Sequence, residues 1–344
     1  ICICREMRYK FSDLYYDDTK NAKKLKSSEY KNVGKYIIVD QGKSLIAGYT
    51  DNEDGLYTDV PAIIFGDHTR NIKYIDSPFF LGADGTKVLK SPLKSVNYKY
   101  LYYLLKNASI PDTGYNRHFK WVKELMFKYH SQEQQNQIVT ILDKLDSTII
   151  KYREELSLLD ELVRARFVEM FGGVNDSIVY SYKKLNEITD IISGGTPKRD
   201  KPEYWENGII PWVKTTELKN NKITYVEEYI TQKGLSESSA KLVPQGTVLV
   251  AMYGQGKTRG MTAYLNVEAS TNQACACILP SEEVNSIFLW KYLEFSYVKL
   301  RSLAKGAGQP NLNVNMIKEF SILVPPLNLQ EEYASFVQEI DKSR

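Results

Sequence analysis

The sequence contains little cysteine and little histidine. Of its 344 residues, four are cysteine and three are histidine. The cysteines form two C-x-C pairs, Cys2/Cys4 and Cys275/Cys277, whereas zinc sites usually have two to four residues between their cysteines. The second pair falls in the apolar run 274–279, which predicts a buried strand. We therefore expect no metal site, and we expect a reducing, cytoplasmic location.

The sequence also lacks long apolar runs and an excess of one charge. No run reaches the roughly 18 apolar residues that a membrane helix needs, so we expect no membrane partner. Lys and Arg number 45 and Asp and Glu number 42, which gives a formal net charge of +3. This balance excludes a histone-like protein and an acidic solvating tail, but it permits one basic face.

Catalytic motifs are missing as well. Residues 254–258 resemble the end of a phosphate-binding loop, but that motif requires a glycine where the sequence has Ala251. A dinucleotide-binding motif fails because Arg259 stands in place of its third glycine. No Ser/His/Asp or Cys/His set lies at a glycine elbow, and a methyl-donor glycine loop is absent. We therefore expect no catalytic residue, which disfavours a stand-alone nuclease or methyltransferase.

The composition is that of a folded protein. Hydrophobic residues make up 43% of the chain, and at roughly 150 residues per domain its length predicts two domains. The 25 tyrosines suit a surface that is both apolar and hydrogen-bonding, with a tyrosine-rich core as the alternative.

A long helix is the most distinct element that the sequence predicts. The segment 131–171 contains no proline or glycine and is followed by Gly172 and Gly173, a strong signal for a helix C-terminus. About 40 residues at 1.5 Å each make a rod of roughly 60 Å. Its apolar residues follow at alternating steps of four and three, which predicts a coiled-coil seam. The seam consists of Ile138, Leu142, Leu145, Ile149, Tyr152, Leu156, Leu159 and Val163.

The regions on either side of this helix have another pattern. Residues 7–127 and 178–324 contain short β-like runs split by Gly, Asn, Asp and Pro, which predict strands. Each region also has one helical stretch near its end, at 98–107 and 287–304. We therefore predict two mixed α+β domains.

The two regions are similar to each other. Residues 122–125 match 317–320 at an offset of 195 (319 − 124), and the same offset places Gln135 on Gln330. Near the domain starts, residues 10–14 match 184–188 at an offset of 174 (184 − 10). Matches in the same order at both ends predict an internal duplication.

Several loops of the second region combine Lys or Arg with Gly, Thr, Asn, Gln and aromatic residues. They are 193–199, 212–216, 254–259 and 305–311. Glycine lets a backbone approach a phosphate, Lys and Arg neutralise it, and polar side chains recognise base edges. We predict that these loops converge on one basic concave face; for 254–259, a plain hairpin turn is the alternative. The candidate DNA-binding residues are Gly195, Thr196, Lys198, Arg199, Trp212, Lys214, Thr215, Thr216, Lys257, Thr258, Arg259, Lys305, Gln309 and Asn311.

These segments resemble the specificity (S) subunit of type I restriction–modification systems. In the second region the resemblance lies in 192–197, 204–205, 208–215, 308–312, 324–327 and Gln330. In the first region, 39–42, 47–50 and 64–69 resemble another version of the same recognition domain. The candidate DNA-binding residues there are Tyr49, Thr50, His68, Thr69, Arg70 and Lys73. Residues 113–119 replace the Gly-Gln-Pro loop of the second region, and we carry no DNA contact over to them.

The resemblance implies an α+β fold. It has two similar globular target recognition domains, joined by long antiparallel coiled-coil helices in a pseudo-two-fold arrangement. We predict the first recognition domain at 1–130, the central helix at 131–172, the second recognition domain at 173–325 and the start of a distal, truncated helix at 326–344.

The resemblance also implies a function and partners. Each domain would recognise one half of a bipartite, asymmetric site in double-stranded DNA. Two modification subunits would methylate adenine with S-adenosylmethionine, and restriction subunits would use ATP and Mg²⁺, while this chain binds no cofactor itself. The alternative is a coiled-coil adaptor whose two domains bind proteins, although such an adaptor has no need of the polar and basic loops described above.

Overall fold

Short apolar runs between turn residues form strands in both halves of the chain. The structure is a computed structural model, and it describes residues 8–82, 84–174, 180–254, 256–304 and 311–344. The chain divides into two units, Ile1–Tyr152 and Arg153–Arg344. The division falls inside the long helix, and the domain boundaries predicted above stay a prediction.

The first unit mixes short strands and helices. Its strands are β1 (Arg8–Lys10), β2 (Tyr16–Asp17), β3 (Tyr36–Val39), β4 (Gly48–Thr50), β5 (Ala62–Gly66), β6 (Ile72–Ile75), β7 (Phe79–Leu81), β8 (Thr86–Lys90) and β9 (Met126–Lys128). Its helices are α1 (Phe11–Leu14), α2 (Tyr98–Lys106), α3 (Phe119–Val122) and the first part of α4 (Gln132–Phe171).

These strands form three sheets, ordered β2-β8-β5-β6, β4-β3-β7 and β1-β9. All five residues of β5 are buried, as expected of a strand in the middle of a sheet. One side of β5 packs Ile63 and Phe65 with Tyr100 and Leu101 of α2, and the other side packs Ile64 in a separate apolar cluster.

The second unit also mixes short strands and helices. Its strands are β10 (Tyr182–Lys184), β11 (Ile191–Ser193), β12 (Ile210–Val213), β13 (Asn221–Ile223), β14 (Glu228–Ile230), β15 (Leu242–Val243), β16 (Val248–Ala251), β17 (Thr262–Leu265), β18 (Ala269–Thr271), β19 (Cys275–Ile278) and β20 (Ser321–Leu323). Its helices are α5 (Leu185–Ile188), α6 (Gln232–Ser236), α7 (Ser286–Phe295), α8 (Tyr297–Ser302), α9 (Val314–Lys318) and α10 (Leu327–Lys342).

The described strands of this unit form sheets ordered β11-β19-β16-β17-β13, β14-β12-β18-β15 and β10-β20. Cys275 and Cys277 lie in a fully buried strand, as predicted from the sequence. The helical stretch predicted at 287–304 is wrong as one helix, because the chain leaves helical geometry at Ser296, between α7 and α8.

The central helix is continuous over 40 residues, as its lack of proline and glycine predicts. Its seam is buried unequally along its length. Val163 is 2% exposed, whereas the seam residues Leu145, Ile149, Tyr152 and Leu156 are each more than 40% exposed. The described residues therefore cover the end of the seam and leave its middle open.

In the second unit, α10 packs against the end of α4. The Tyr333 hydroxyl donates to the Val163 carbonyl at 3.2 Å, and Arg166 pairs with Glu332 at 2.8 Å. Arg344 pairs with Asp160. Residue numbers rise along α10 as they fall along α4, so the two helices run antiparallel. Among the described residues, no helix is both long and apolar enough to span a membrane.

Candidate nucleic-acid interface

In the second unit, the described parts of the predicted loops meet at one edge of the five-stranded sheet, where β11 and β16 end and β19 starts. Strand β19 pairs antiparallel with both β11 and β16. Consequently the end of β11, the end of β16 and the start of β19 lie side by side. The amide of Met252, directly after β16, donates to the Ala274 carbonyl at 2.8 Å, and the amide of Gly194 donates to the Cys275 carbonyl at 3.4 Å. Loops 193–199 and 254–259 therefore begin next to each other.

The start of loop 212–216 and residue 311, the last of loop 305–311, lie at the same edge. The amide of Asn272 donates to the Val213 carbonyl at 3.0 Å, which brings the start of loop 212–216 beside the start of β19. The amide of Leu312 donates to the Met252 carbonyl at 3.0 Å, so Asn311 lies next to the end of β16. Lys305 and Gln309 lie outside the described residues. Backbone hydrogen bonds thus gather segments that are far apart in the sequence.

Glycine and tryptophan hold the first of these loops close to its neighbours. A Cβ atom on Gly195 would lie 2.3 Å from the backbone of Ser239, so no larger residue fits. The Trp212 indole is 2% exposed and donates from Nε1 to the Gly195 carbonyl at 3.0 Å. Thr196 donates to the side chain of Gln273. Trp212 and Gly195 therefore shape the loop from inside and present little surface to DNA.

Two predicted DNA-binding cations form ion pairs within the unit. The Arg199 guanidinium lies 3.7 Å from the ring centroid of Trp205 and pairs with Glu228. Lys214 pairs with Glu227 at 2.6 Å and with Glu228 at 2.9 Å. The hydrogen bond from Arg199 lowers the pKa of the Glu228 carboxyl, and the hydrogen bonds to Glu227 and Glu228 raise the pKa of the Lys214 amine. Any contact of these two cations with phosphate has to compete with these carboxylates.

Other predicted residues are more accessible. Lys198, Thr216, Lys257 and Asn311 are exposed, and Thr215 and Thr258 are partly buried. The partly buried Arg259 accepts on its backbone carbonyl a hydrogen bond of 2.8 Å from Arg301. The loop 254–259 joins the antiparallel strands β16 and β17. A strand therefore follows this loop, whereas a helix follows a phosphate-binding loop.

In the first unit, the candidate residues lie in two places. Tyr49 and Thr50 belong to strand β4, at the edge of its sheet. His68, Thr69 and Arg70 form the turn between β5 and β6, where Arg70 has a φ of 59°. The Thr69 hydroxyl donates to the Gln41 carbonyl at 2.6 Å.

Lys73 is buried, which the sequence did not predict. It is 5% exposed, and its Nζ donates to the Asp40 carbonyl at 2.7 Å. Burial lowers the pKa of this amine, against the opposing effect of the Asp40 carboxylate. The Lys73 amine is thus buried and bonded to Asp40 within the first unit, and this geometry does not favour a contact with DNA.

Sequence reasoning missed a group of residues around the turn 66–71. His118 is 1% exposed, and its amide donates to the Asp67 carbonyl at 2.8 Å. The Phe119 amide donates to the Asp67 carboxylate at 2.7 Å, and Arg70 pairs with Asp112 at 2.5 Å. These contacts join the turn to a segment 42 to 52 residues later, and no local pattern in the sequence signals such a pairing.

Groups suited to metal binding or nucleophilic chemistry do not stand out. Among the described residues, no cluster of three or more His, Cys, Asp or Glu side chains could hold a metal ion. Burial raises the pKa of the Cys277 thiol to about 11, so it stays protonated at neutral pH. The exposed polar and basic side chains described above are suited to binding.

Comparison with known proteins identifies related chains. A family model described as the type I restriction modification DNA specificity domain matches residues 11–158 and again 179–344. The specificity subunit of the type I restriction enzyme EcoR124I/EcoR124II of Escherichia coli is 25% identical over 332 residues, which cover 92% of this chain and 81% of that protein. The MjaIX specificity subunit of Methanocaldococcus jannaschii is 23% identical over 275 residues, which cover 72% of this chain and 63% of that protein.

A solved structure has a similar fold. The S subunit of a type I restriction–modification system from M. genitalium superimposes with a TM-score of 0.65 at 16% identity, covering 98% of this chain and 89% of that one. At this identity the likeness concerns the fold alone.

Proposed function

Because the chain belongs to the family of type I restriction modification DNA specificity domains, we propose that it selects the DNA sequence on which a type I complex acts. The observation that carries the proposal is the match of one DNA-specificity model to both halves of the chain, at 11–158 and 179–344. Each half would recognise one part of a bipartite, asymmetric site. The family favours this function over a protein-binding adaptor.

The chain is a non-catalytic subunit, and the chemistry belongs to its partners. We propose that two modification subunits dock on it and methylate adenine with S-adenosylmethionine. Restriction subunits would add ATP- and Mg²⁺-dependent translocation and cleavage. The complex would act on cellular DNA in the cytoplasm. The absence of catalytic motifs from the sequence is consistent with this division of labour.

The loops at one edge of the five-stranded sheet support a site of DNA contact in the second half. Their polar and basic side chains include Lys198, Thr216, Lys257 and Asn311, which are exposed. Such residues suit phosphates and base edges. In the first half, the turn 68–70 is the corresponding candidate, whereas the buried Lys73 is a weaker one.

Adenine-methylation mapping tests the proposal. The chain is expressed with modification subunits in cells that lack other methyltransferases, and methylated sites are mapped across the genome. A split motif with a fixed spacer is expected. A chimera in which residues 178–324 come from another specificity subunit should change one half of the motif only. Methylation without a split motif, or a chimera that changes both halves, would refute the proposal.

A further inference from the structure

We infer that Tyr115 is a specificity-determining residue of the first half, and that His68 is the residue that positions it. The inference rests on the proposed function, since it assigns one base-contacting side chain within it. The Tyr115 side chain is 87% exposed. It belongs to the segment 113–119, for which the family resemblance gave no DNA contact. Its ring stacks on His68 with centroids 4.9 Å apart and planes 14° apart.

The loop that carries Tyr115 is tied down at both ends. Before Tyr115, Arg70 pairs with Asp112, whose carboxylate also accepts from the Gly114 amide at 3.1 Å. After Tyr115, the His118 ring nitrogen Nδ1 lies 2.9 Å from the Asp67 carbonyl, and since a carbonyl only accepts, Nδ1 is the donor. The exposed ring is therefore presented on a fixed support.

The chain turns at Gly114, directly before the exposed ring of Tyr115. Gly114 has a φ of +75°, which favours glycine, and open space surrounds the position of a Cβ atom there. Tyr115 follows immediately and projects outward. Because the ring is 87% exposed, most of its apolar and hydrogen-bonding surface is available for contact with a ligand.

His68 is held at the meeting point of other loops. Its amide donates to the Gln41 side chain at 3.2 Å, and Gln41 in turn donates to the Asp84 carbonyl at 2.9 Å. A Cβ atom on Gly85 would lie 2.8 Å from the His68 ring. His68 Nδ1 is buried and has no hydrogen-bond partner among the described residues. The imidazole is thus packed in place as a platform for Tyr115.

The surroundings of the ring suit double-stranded DNA. Arg117 is exposed two residues after Tyr115. The hydrogen bond and charge of Lys24, and to a smaller extent the charge of Arg117, lower the pKa of the Asp84 carboxyl. A cation beside an aromatic ring can neutralise a phosphate while the ring contacts a base edge, such as the methyl group of thymine. The hydroxyl of Tyr115 adds one donor and one acceptor for a polar base edge.

The test is methylation mapping of the full complex with Tyr115→Ala. We expect the motif to lose base selection at one position of the half that the 178–324 chimera leaves unchanged. Sites that differ at that position should gain methylation by roughly tenfold or more, the scale of one good base contact. The matched control is Tyr225→Ala, which removes a tyrosine that is 86% exposed in the second unit; it should leave the first half-site unchanged.

Variants at His68 test the positioning role. His68→Ala should weaken selection at the same position, and His68→Phe should restore it because phenylalanine can stack on Tyr115. Melting temperatures and co-purification with modification subunits are measured for every variant. The inference is overturned if Tyr115→Ala leaves the motif unchanged, lowers methylation equally at all sites, or lowers it by weakening subunit assembly. Those results leave the split motif of the unmodified chain intact, whereas loss of the proposed function removes that motif.

Discussion

Gln135 and Gln330, 195 positions apart in the sequence, form equivalent hydrogen bonds in the two units. Each donates from Nε2 to the backbone carbonyl five residues earlier, Gln135 to His130 and Gln330 to Pro325, both at 2.8 Å. The match extends to α1 and α5, whose first amides donate equivalent hydrogen bonds: the Phe11 amide donates to the Leu125 carbonyl, and the Leu185 amide donates to the Phe320 carbonyl. The duplication predicted from the sequence is therefore present in the hydrogen bonding of each unit.

The two glutamines differ in one bond, which predicts unequal effects on stability. Gln330 Oε1 also accepts from the Asn285 amide at 2.9 Å, whereas Gln135 Oε1 is buried and has no partner among the described residues. Gln330→Ala leaves two backbone groups unpaired and should cost about 2–4 kcal/mol, and Gln135→Ala should cost about half as much. Chemical denaturation measures both, and equal losses would contradict the prediction.

Lys73 and Lys198 should separate stability from DNA binding. Lys73→Ala removes the partner of the Asp40 carbonyl and should lower the unfolding free energy by about 1–3 kcal/mol.

Lys198→Ala removes an exposed charge, so the melting temperature should stay the same while DNA binding weakens. If Lys198 contacts one phosphate, the slope of log K against log salt should fall by about 0.9. Fluorescence anisotropy with a duplex that carries the mapped motif measures this slope, and an unchanged slope would remove Lys198 from the interface.

Gly195→Ala should disturb the loop 193–199. A Cβ atom there would lie 2.3 Å from the backbone of Ser239, so one of the two segments must move. We expect a loss of about 2 kcal/mol or more, since overpacking of a close backbone contact is relieved only by a backbone shift. Gly256→Ala is the control for backbone strain without a clash, because nothing lies within 4 Å of its Cβ position. Its φ of +69° should cost about 1–2 kcal/mol. A Gly195→Ala variant as stable as the unmodified chain would contradict the close packing.

Cys277 should contribute to stability in a pH-dependent way. Burial raises the pKa of its thiol to about 11 from an ordinary value of 9.0, so folding favours the protonated form. This contribution is fully present below pH 9 and is lost as the pH rises towards 11, by roughly 3 kcal/mol in total. Cys277→Ala removes it, and its stability should fall less steeply over that interval. Denaturation series at pH 8 to 11 compare the slopes, and parallel curves would show that the thiol does not titrate there.

Much of the architecture could be predicted from local patterns. The absence of proline and glycine predicted the helix that is observed as Gln132–Phe171. The apolar run around Cys275 predicted the buried strand β19. Both features depend on neighbours in the sequence, where periodicity and turn residues act directly. The break at Ser296 was missed, because the apolar pattern continues across it.

The sequence by itself determined the two α+β halves, the long helix, the duplication and the lack of catalytic motifs. Only the tertiary structure decided which charged and aromatic side chains are available for contact. Lys73 is withdrawn by Asp40, 33 positions away, and Arg199 is paired with Glu228, 29 positions away. Tyr115 is presented by a turn that lies nearly 50 positions earlier. Burial and ion pairing depend on such distant residues, which meet only when the chain folds.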